Sequence, residues 1–283
     1  VLARPHRQVP SSARVGGGRV SRVGTQRIAD RSASGQEVPS VKFGVLALVV
    51  LAAAVLAASW LHERGLIRVN YPSTVRFPIR GIDVSHHQGP IDWPAVRSAG
   101  ITFAFIKSSE GADHRDREFG RNWDGALQAG VARGAYHFFT FCTPGAAQAE
   151  NFIAAVGGSF GELPPVADVE FAGNCRQWES IDRIREELRT FLARLEESAR
   201  VRPVLYFTAD AHARILDGHF DAHPIWPRSV LLPLSDSRFG SWLFWQFADN
   251  GRVSGIDTLV DLNVFRSTRL DFESLVASGR AAD

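Results

Sequence analysis

Methionine is absent from this 283-residue chain, cysteine occurs twice and tyrosine three times, and only two of the 32 basic residues are lysine. Two cysteines are too few for a small disulfide-stapled scaffold. A hydrophobic content of 45% with nearly balanced charge excludes a wholly disordered chain and a collagen-like repeat. No internal repeat occurs. There is no H-x-x-x-H or H-E-x-x-H run for a metal hydrolase and no G-x-S-x-G elbow around Ser85 for a serine hydrolase. The preference for arginine reads as a compositional bias of the genome, and it singles out Lys107.

The formal charge of +2 hides an asymmetry. Residues 1–42 carry eight basic groups (seven arginines and Lys42) against Asp30 and Glu37, so this part is +6 and the remainder is −4. Rich in Arg, Ser, Gly and Pro and without apolar periodicity, residues 1–42 read as a disordered basic tail. From Phe43 to Leu61 there is no charge, and a helix over that run would span roughly 28 Å, close to a bilayer core. It reads as a transmembrane helix. The positive flank predicts a single-pass protein of the cytoplasmic membrane, with the tail inside and the C-terminal part in the periplasm or outside the cell. A signal peptide cleaved near Ala57 or Ser59, giving a secreted protein, is the competing reading. Beside such a span the tail is topogenic and adhesive to anionic lipid, so no nucleic-acid partner is expected.

After a linker over 62–78, residues 79–278 fit one domain with a sizeable core. Apolar runs alternate with amphipathic stretches: Ile82–Ser85 then Trp93–Ala99, Phe103–Ile106 then Glu118–Ala129, Gly134–Phe141 then Ala146–Ala155. Val166–Glu170 then precedes Ser180–Ala199, and Val204–Phe207 precedes Ala209–Leu216. The last strands, Val230–Leu234, Leu243–Phe247 and Leu262–Phe265, are joined by turns. The pattern predicts an α/β fold, an irregular TIM-like β/α barrel of about five βα units followed by strands with few helices.

Acids stand at the strand ends: Asp83 in GIDVSHHQG, Asp168 and Glu170 in VADVE, Asp261 in VDLNVF. Residues i and i+2 of a strand share a face about 6.6 Å apart, so Asp168 and Glu170 both aim into the barrel mouth. Two carboxylates there push one pKa up, which yields the protonated acid and the carboxylate that glycoside cleavage needs. In isolation any D-x-E reads as solvated loop-end acids or partners of nearby arginines; four acids at three strand ends are harder to dismiss.

GIDVSHHQGPIDW, FAFIKSSEG, GAYHFF, PPVADVE and FWQFADNGRVSGIDTLVDLNVF, in this order, resemble glycoside hydrolase family 25, the Chalaropsis-type lysozymes or N-acetylmuramidases. The resemblance covers nearly all of residues 79–275. It implies hydrolysis, without a cofactor, of the β-1,4 bond between N-acetylmuramic acid and N-acetylglucosamine in peptidoglycan, whose glycan strands are then the partner. By matched position, Glu170 is the general acid, Asp168 orients the acetamido group or serves as second carboxylate, and Asp83 and Asp261 line the site. It also places Tyr136 in the sugar-binding cleft. A covalent and an N-acetyl-assisted route both stay open. The segment HPIWPRSVLLPLSD departs from the family in lacking a tyrosine beside Trp226, and no cell-wall-binding repeat follows the barrel. The alternative is a catalytically silent peptidoglycan-binding module of the same fold in a wall-remodelling assembly.

Lys107, paired with Glu110, is expected to line the site, and Trp245 and Gln246, with Trp242, to supply a stacking platform and a hydrogen bond. His137 must face away from its neighbour Tyr136 and is expected to be buried and hydrogen-bonded. His86 and His87 are poorly placed to share an ion unless the chain turns sharply; one of them is read as a partner of the site carboxylates, and no metal is expected. Cys142 and Cys175, each just past a strand end at the same rim and in an oxidising compartment, are expected to form a disulfide.

Overall fold

A strand whose odd and even positions face opposite sides can serve two environments at once, and the strands of this chain do so. The computed structural model describes residues 39–234 and 239–282. Helix α1 runs Pro39–Glu63, and its side chains from Phe43 to Trp60 are exposed. It begins upstream of the expected start at Phe43; the rest of the expected tail, residues 1–38, lies outside the described residues. From Val50 onward the chain is one unit built on a sheet.

The elements follow as β1 (Arg80–Val84), α2 (Trp93–Ser98), β2 (Ile101–Glu110), β3 (His114–Arg115), α3 (Phe119–Gln128), β4 (Ala132–Phe138) and α4 (Gly145–Val156). Next come β5 (Val166–Val169), α5 (Ile181–Ala199), β6 (Val204–Phe207), α6 (Ala209–Ala211) running into a π turn (His212–Leu216), β7 (Ile225–Pro227), β8 (Phe244–Gly251), β9 (Val260–Phe265) and α7 (Arg269–Ala282). Strand order is β7-β6-β5-β4-β2-β1-β9-β8, with β3 appended to β2. The pairs from β1 to β7 along this path are parallel, whereas β9 lies antiparallel to both β1 and β8. The free edges meet through Leu243 N–H to Ile225 O (2.8 Å) and Ser229 N–H to Gln246 O (3.0 Å), closing an irregular barrel.

Two predicted details change. The seventh strand is Ile225–Pro227, whereas the apolar run Val230–Leu234 is not a strand. Pro227, which has no N–H to donate, is the last residue of the strand, pairing continues only through Arg228 and Ser229, and two of the leucines beyond, Leu231 and Leu232, are exposed. The sixth helix is one turn that widens into a π turn at His212.

Outward-facing residues build two cores. Ala167, Val169, Leu205 and Phe207 pack against α4 and α5, and Ile82, Val84, Ala104 and Ile106 pack against α2 and α3. Inward, Phe103, Phe105, Val166, Val204, Trp226, Phe244 and Phe265 form an apolar barrel floor. The walls there are tight: a Cβ on Gly81 would sit 2.3 Å from the Phe103 ring. One or two steps further along the same inward face stand Asp83, Asp168, Tyr206, Gln246 and Asn263.

Candidate active site

Above the floor lies a cavity of about 260 Å³ lined by Asp83, Tyr136, Asp168, Glu170, Tyr206, Trp226, Arg228, Gln246, Asp249 and Asp261. It stands at the C-terminal ends of the parallel strands, where the loops of a β/α barrel converge. All four predicted acids are brought together in it, along with Tyr136 and Gln246.

The antiparallel register sets Asp83 directly opposite Asp261, and their carboxyl groups share a hydrogen bond. Asp83 also accepts from Asn263 Nδ2 (2.6 Å) and from Gln246 Nε2 (3.1 and 3.2 Å). Asn263 is oriented by Trp226 Nε1–H (2.8 Å), and Gln246 by the Tyr206 hydroxyl (3.0 Å). Burial raises the pKa of Asp83, and these amide donors oppose the rise. Asp261 is held well above the usual carboxylate range by burial and then by the Asp83 charge. The two facing carboxyls therefore resist being ionised together, and Asp83 is the one supplied with amide donors.

Across the cavity, Asp168 is the last inward-facing residue of β5 and Glu170 begins the following loop. Burial, then the Glu170 charge, raises Asp168 well above its ordinary value, and its Oδ1 is buried without a hydrogen-bond partner. Glu170 is pushed up to about 7 by burial, with Arg228 pulling the other way. Arg228 and Asp249 form an ion pair of 2.5 Å at the rim. The loop that carries Glu170 is pinned by Asn174, whose Nδ2 donates to Glu170 O and Phe139 O (both 2.9 Å) and whose Oδ1 accepts from Phe141 N (2.8 Å). The Cys142–Cys175 disulfide, with Cα atoms 6.2 Å apart, ties the same two loops.

Other expected site residues fall elsewhere. Lys107 and Glu110 pair at 2.7 Å, and Lys107 also lies over the Phe138 ring (5.1 Å), but neither lines the cavity. Trp245 and Gln246 are consecutive on β8 and must face opposite ways, so Gln246 enters the cavity while Trp245 packs outward with Phe77, Trp242 and Phe247. The chain does turn sharply at His86: a capping box of Ser85 and Gln88 sets a 3₁₀ turn, and the rings of His86 and His87 lie 4.1 Å apart. That turn directs His86 Nδ1 to Asp116 (2.8 Å) and not to the four acids. Among the described residues no cluster of His, Cys, Asp or Glu suits a metal ion. His137 is buried and neutral, its pKa lowered to about 3 by burial, between Ser109 Oγ (2.8 Å) and Gln148 Oε1 (3.2 Å).

Tyr206, Arg228 and Asp249 were not anticipated. Tyr206 alternates with Val204 on β6, a signal available from period-two reading. The other two were masked, Arg228 by the misplaced seventh strand and Asp249 by a bulge between Gln246 and Ala248 that breaks the period.

The family model for glycosyl hydrolases family 25 matches residues 82–256. Lysozyme M1 of Streptomyces globisporus is 36% identical over 201 residues, 67% of this chain and 68% of that protein. A family 25 glycosyl hydrolase structure from Bacillus anthracis superposes with TM-score 0.68 at 35% identity, covering 74% of this chain and 97% of that one. A bacterial lysozyme structure from Streptomyces coelicolor gives TM-score 0.62 at 33% identity, covering 71% and 98%. The chain belongs to glycosyl hydrolase family 25 and is a glycoside hydrolase.

Proposed function

We propose that this enzyme is a membrane-anchored muramidase that cleaves the β-1,4 bond between N-acetylmuramic acid and N-acetylglucosamine in peptidoglycan, with Glu170 as general acid. The observation that carries the reading is the division of labour among four carboxyls in one cavity. Asp83 and Asp261 are committed to each other and to amide donors, which leaves Asp168 and Glu170 free to meet substrate. A carboxyl with a pKa of about 7 still holds its proton in half the molecules at neutral pH and can deliver it to the leaving oxygen. The unpartnered Oδ1 of Asp168 is a ready acceptor for the N–H of a 2-acetamido group, and the satisfaction of that buried atom is itself favourable. With Asp83 saturated by donors, this arrangement favours attack on the anomeric carbon by the acetamido oxygen that Asp168 orients. The Tyr136 and Tyr206 phenols, their pKa values pushed well up by burial, stay protonated beside the acids.

Helix α1, apolar over Phe43–Glu63 apart from its last residues, has the length of a membrane span and supports anchoring, with the barrel on the outer face. The test is release of reducing ends from purified peptidoglycan by the full chain in detergent. Glu170→Gln is expected to lose about 10²- to 10⁴-fold in rate with binding retained. Cleavage independent of Glu170 overturns the assignment, and binding without new reducing ends in the wild type makes the protein a glycan-binding module.

A further inference from the structure

Large apolar side chains are exposed in an uneven way. Among the described residues outside α1, all but Leu127 and Leu270 fall within residues 66–75 and 231–232. These two stretches, distant in sequence, are one surface. Asn70, only 3% exposed, donates from Nδ2 to Ser229 O (3.1 Å) and Val230 O (2.8 Å), which holds the chain at Asn70 against the chain that leads directly into Leu231 and Leu232.

The segment is also locked to the end of α1. Asn250, likewise 3% exposed, donates to His62 O (2.7 Å) and Ile67 O (3.0 Å), and Arg252 Nε donates to Arg64 O (3.0 Å). Two buried side-chain amides whose donors serve this segment do not describe a swinging tether. The strap that joins helix and barrel is a fixed part of the barrel surface.

Its chemistry has a direction. Residues 62–80 hold Arg64, Arg68, Arg76 and Arg80 against the single acid Glu63, whereas the chain beyond residue 42 is negative as a whole. All four guanidinium groups lie over aromatic rings, Arg64 over Trp60 (5.1 Å), Arg68 over Tyr71 (5.2 Å), Arg76 over Phe77 (5.1 Å) and Arg80 over Phe247 (5.6 Å). Exposed leucines, Trp and Tyr rings, and arginines interleaved with them are what the boundary between headgroups and acyl chains accepts: apolar groups dip in, rings sit at the boundary and guanidinium groups meet phosphates. The patch continues directly from the last turn of the apolar helix.

We propose that this face of the barrel, residues 66–71 with Leu231 and Leu232, docks on the surface of an anionic lipid bilayer. The inference rests on the reading of α1 as a membrane span. It deepens the proposed function, because the cleft then has a fixed place. Rim residue Asp249 bonds Arg228 on one side and approaches His62 Nε2, in the last turn of α1, on the other (4.0 Å). The mouth then lies beside the end of α1 that leaves the membrane, and the glycan it reaches is the glycan nearest the membrane.

Spin labels on the full chain in nanodiscs containing anionic phosphatidylglycerol test this. Leu232→Cys and Leu127→Cys, both exposed, are labelled without reductant so that the native disulfide persists, and each label is probed by relaxation with oxygen and with a water-soluble nickel chelate. The expected result is a severalfold higher oxygen-to-nickel accessibility ratio at 232 than at 127. Equal, water-like ratios in a chain that stays with the disc overturn the docking surface while leaving the span intact. Failure of the chain to enter discs at all overturns the span and the docking surface together. A label at 232 shielded from both reagents, with dipolar broadening that grows with protein per disc, replaces the lipid by a second copy and also overturns the proposal.

Discussion

The floor and the mouth of the barrel are made by the same strands, often two residues apart, yet they obey opposite rules. On the floor Phe103, Phe105, Phe244 and Phe265 are all but sealed from solvent, and rings interlock, Phe105 stacking on Trp226 at 4.5 Å and meeting Phe244 edge-on at 5.0 Å. In the mouth, Asp168 is nearly as buried but leaves an oxygen without a partner, and all four carboxyls are held above their ordinary pKa. The floor lowers the free energy of the fold, and the mouth raises it. A stiff apolar layer is what allows a layer of repelling acids to persist on top of it, because the backbone positions of the acids are set by packing below and not by their own preferences.

Substitutions can separate the two layers. Phe105→Ala should cost about 3–5 kcal/mol of stability, read by denaturant unfolding, while the enzyme that remains folded keeps its pH profile. If the profile also shifts, the floor is shaping the mouth more directly than stacking implies. Removing the disulfide with Cys142→Ser and Cys175→Ser should cost about 2–4 kcal/mol, since it closes a separation of 33 residues, and should loosen the Glu170 loop enough to lower turnover more than binding.

The acids of the mouth also set a pH dependence with a definite sign. Glu170 binds its proton more tightly folded than unfolded, about 7 against a reference of 4.5, and Asp168 and Asp261 shift in the same direction. Their contribution to stability is fully present below the unfolded values and is lost as pH rises through about 7, so the melting temperature should fall from pH 5 to pH 8. Glu170→Gln should flatten that slope. Activity should decline on the same alkaline side as the general acid loses its proton. The smallest effect expected is from Arg228→Gln: removing the cation that opposes the rise of Glu170, and freeing Asp249, should move the alkaline limb of the rate profile to higher pH, measured as kcat against pH.

Much of this arrangement was legible in the sequence because strand alternation is a strict rule. Asp168 and Glu170 shared a face as the two-residue period required, and Tyr136 and His137 parted as consecutive residues must. The same rule, applied to Trp245 and Gln246, would have assigned only Gln246 to the cleft. What stayed hidden depended on where strands stop. β7 is three residues long and ends at a proline, so the run of leucines beyond it mimicked the strand and displaced Arg228 from view. The committed partnership of Asp83 with Asp261 depends on an antiparallel register that no local pattern encodes.

That antiparallel turn of the sheet has a practical corollary. A parallel strand brings a crossover helix to cover its outer side, whereas the β8 and β9 hairpin brings none, and the outer rings of Trp242 and Trp245 would be left bare. Phe77, from the N-terminal strap, lies 5.7 Å from Trp242 and 6.2 Å from Trp245 and stands in for the absent helix. A soluble version of the enzyme cut just before β1 would lose that cover and expose an indole surface prone to self-association. The sound place to cut is ahead of Leu66, where the strap stays with the barrel it completes.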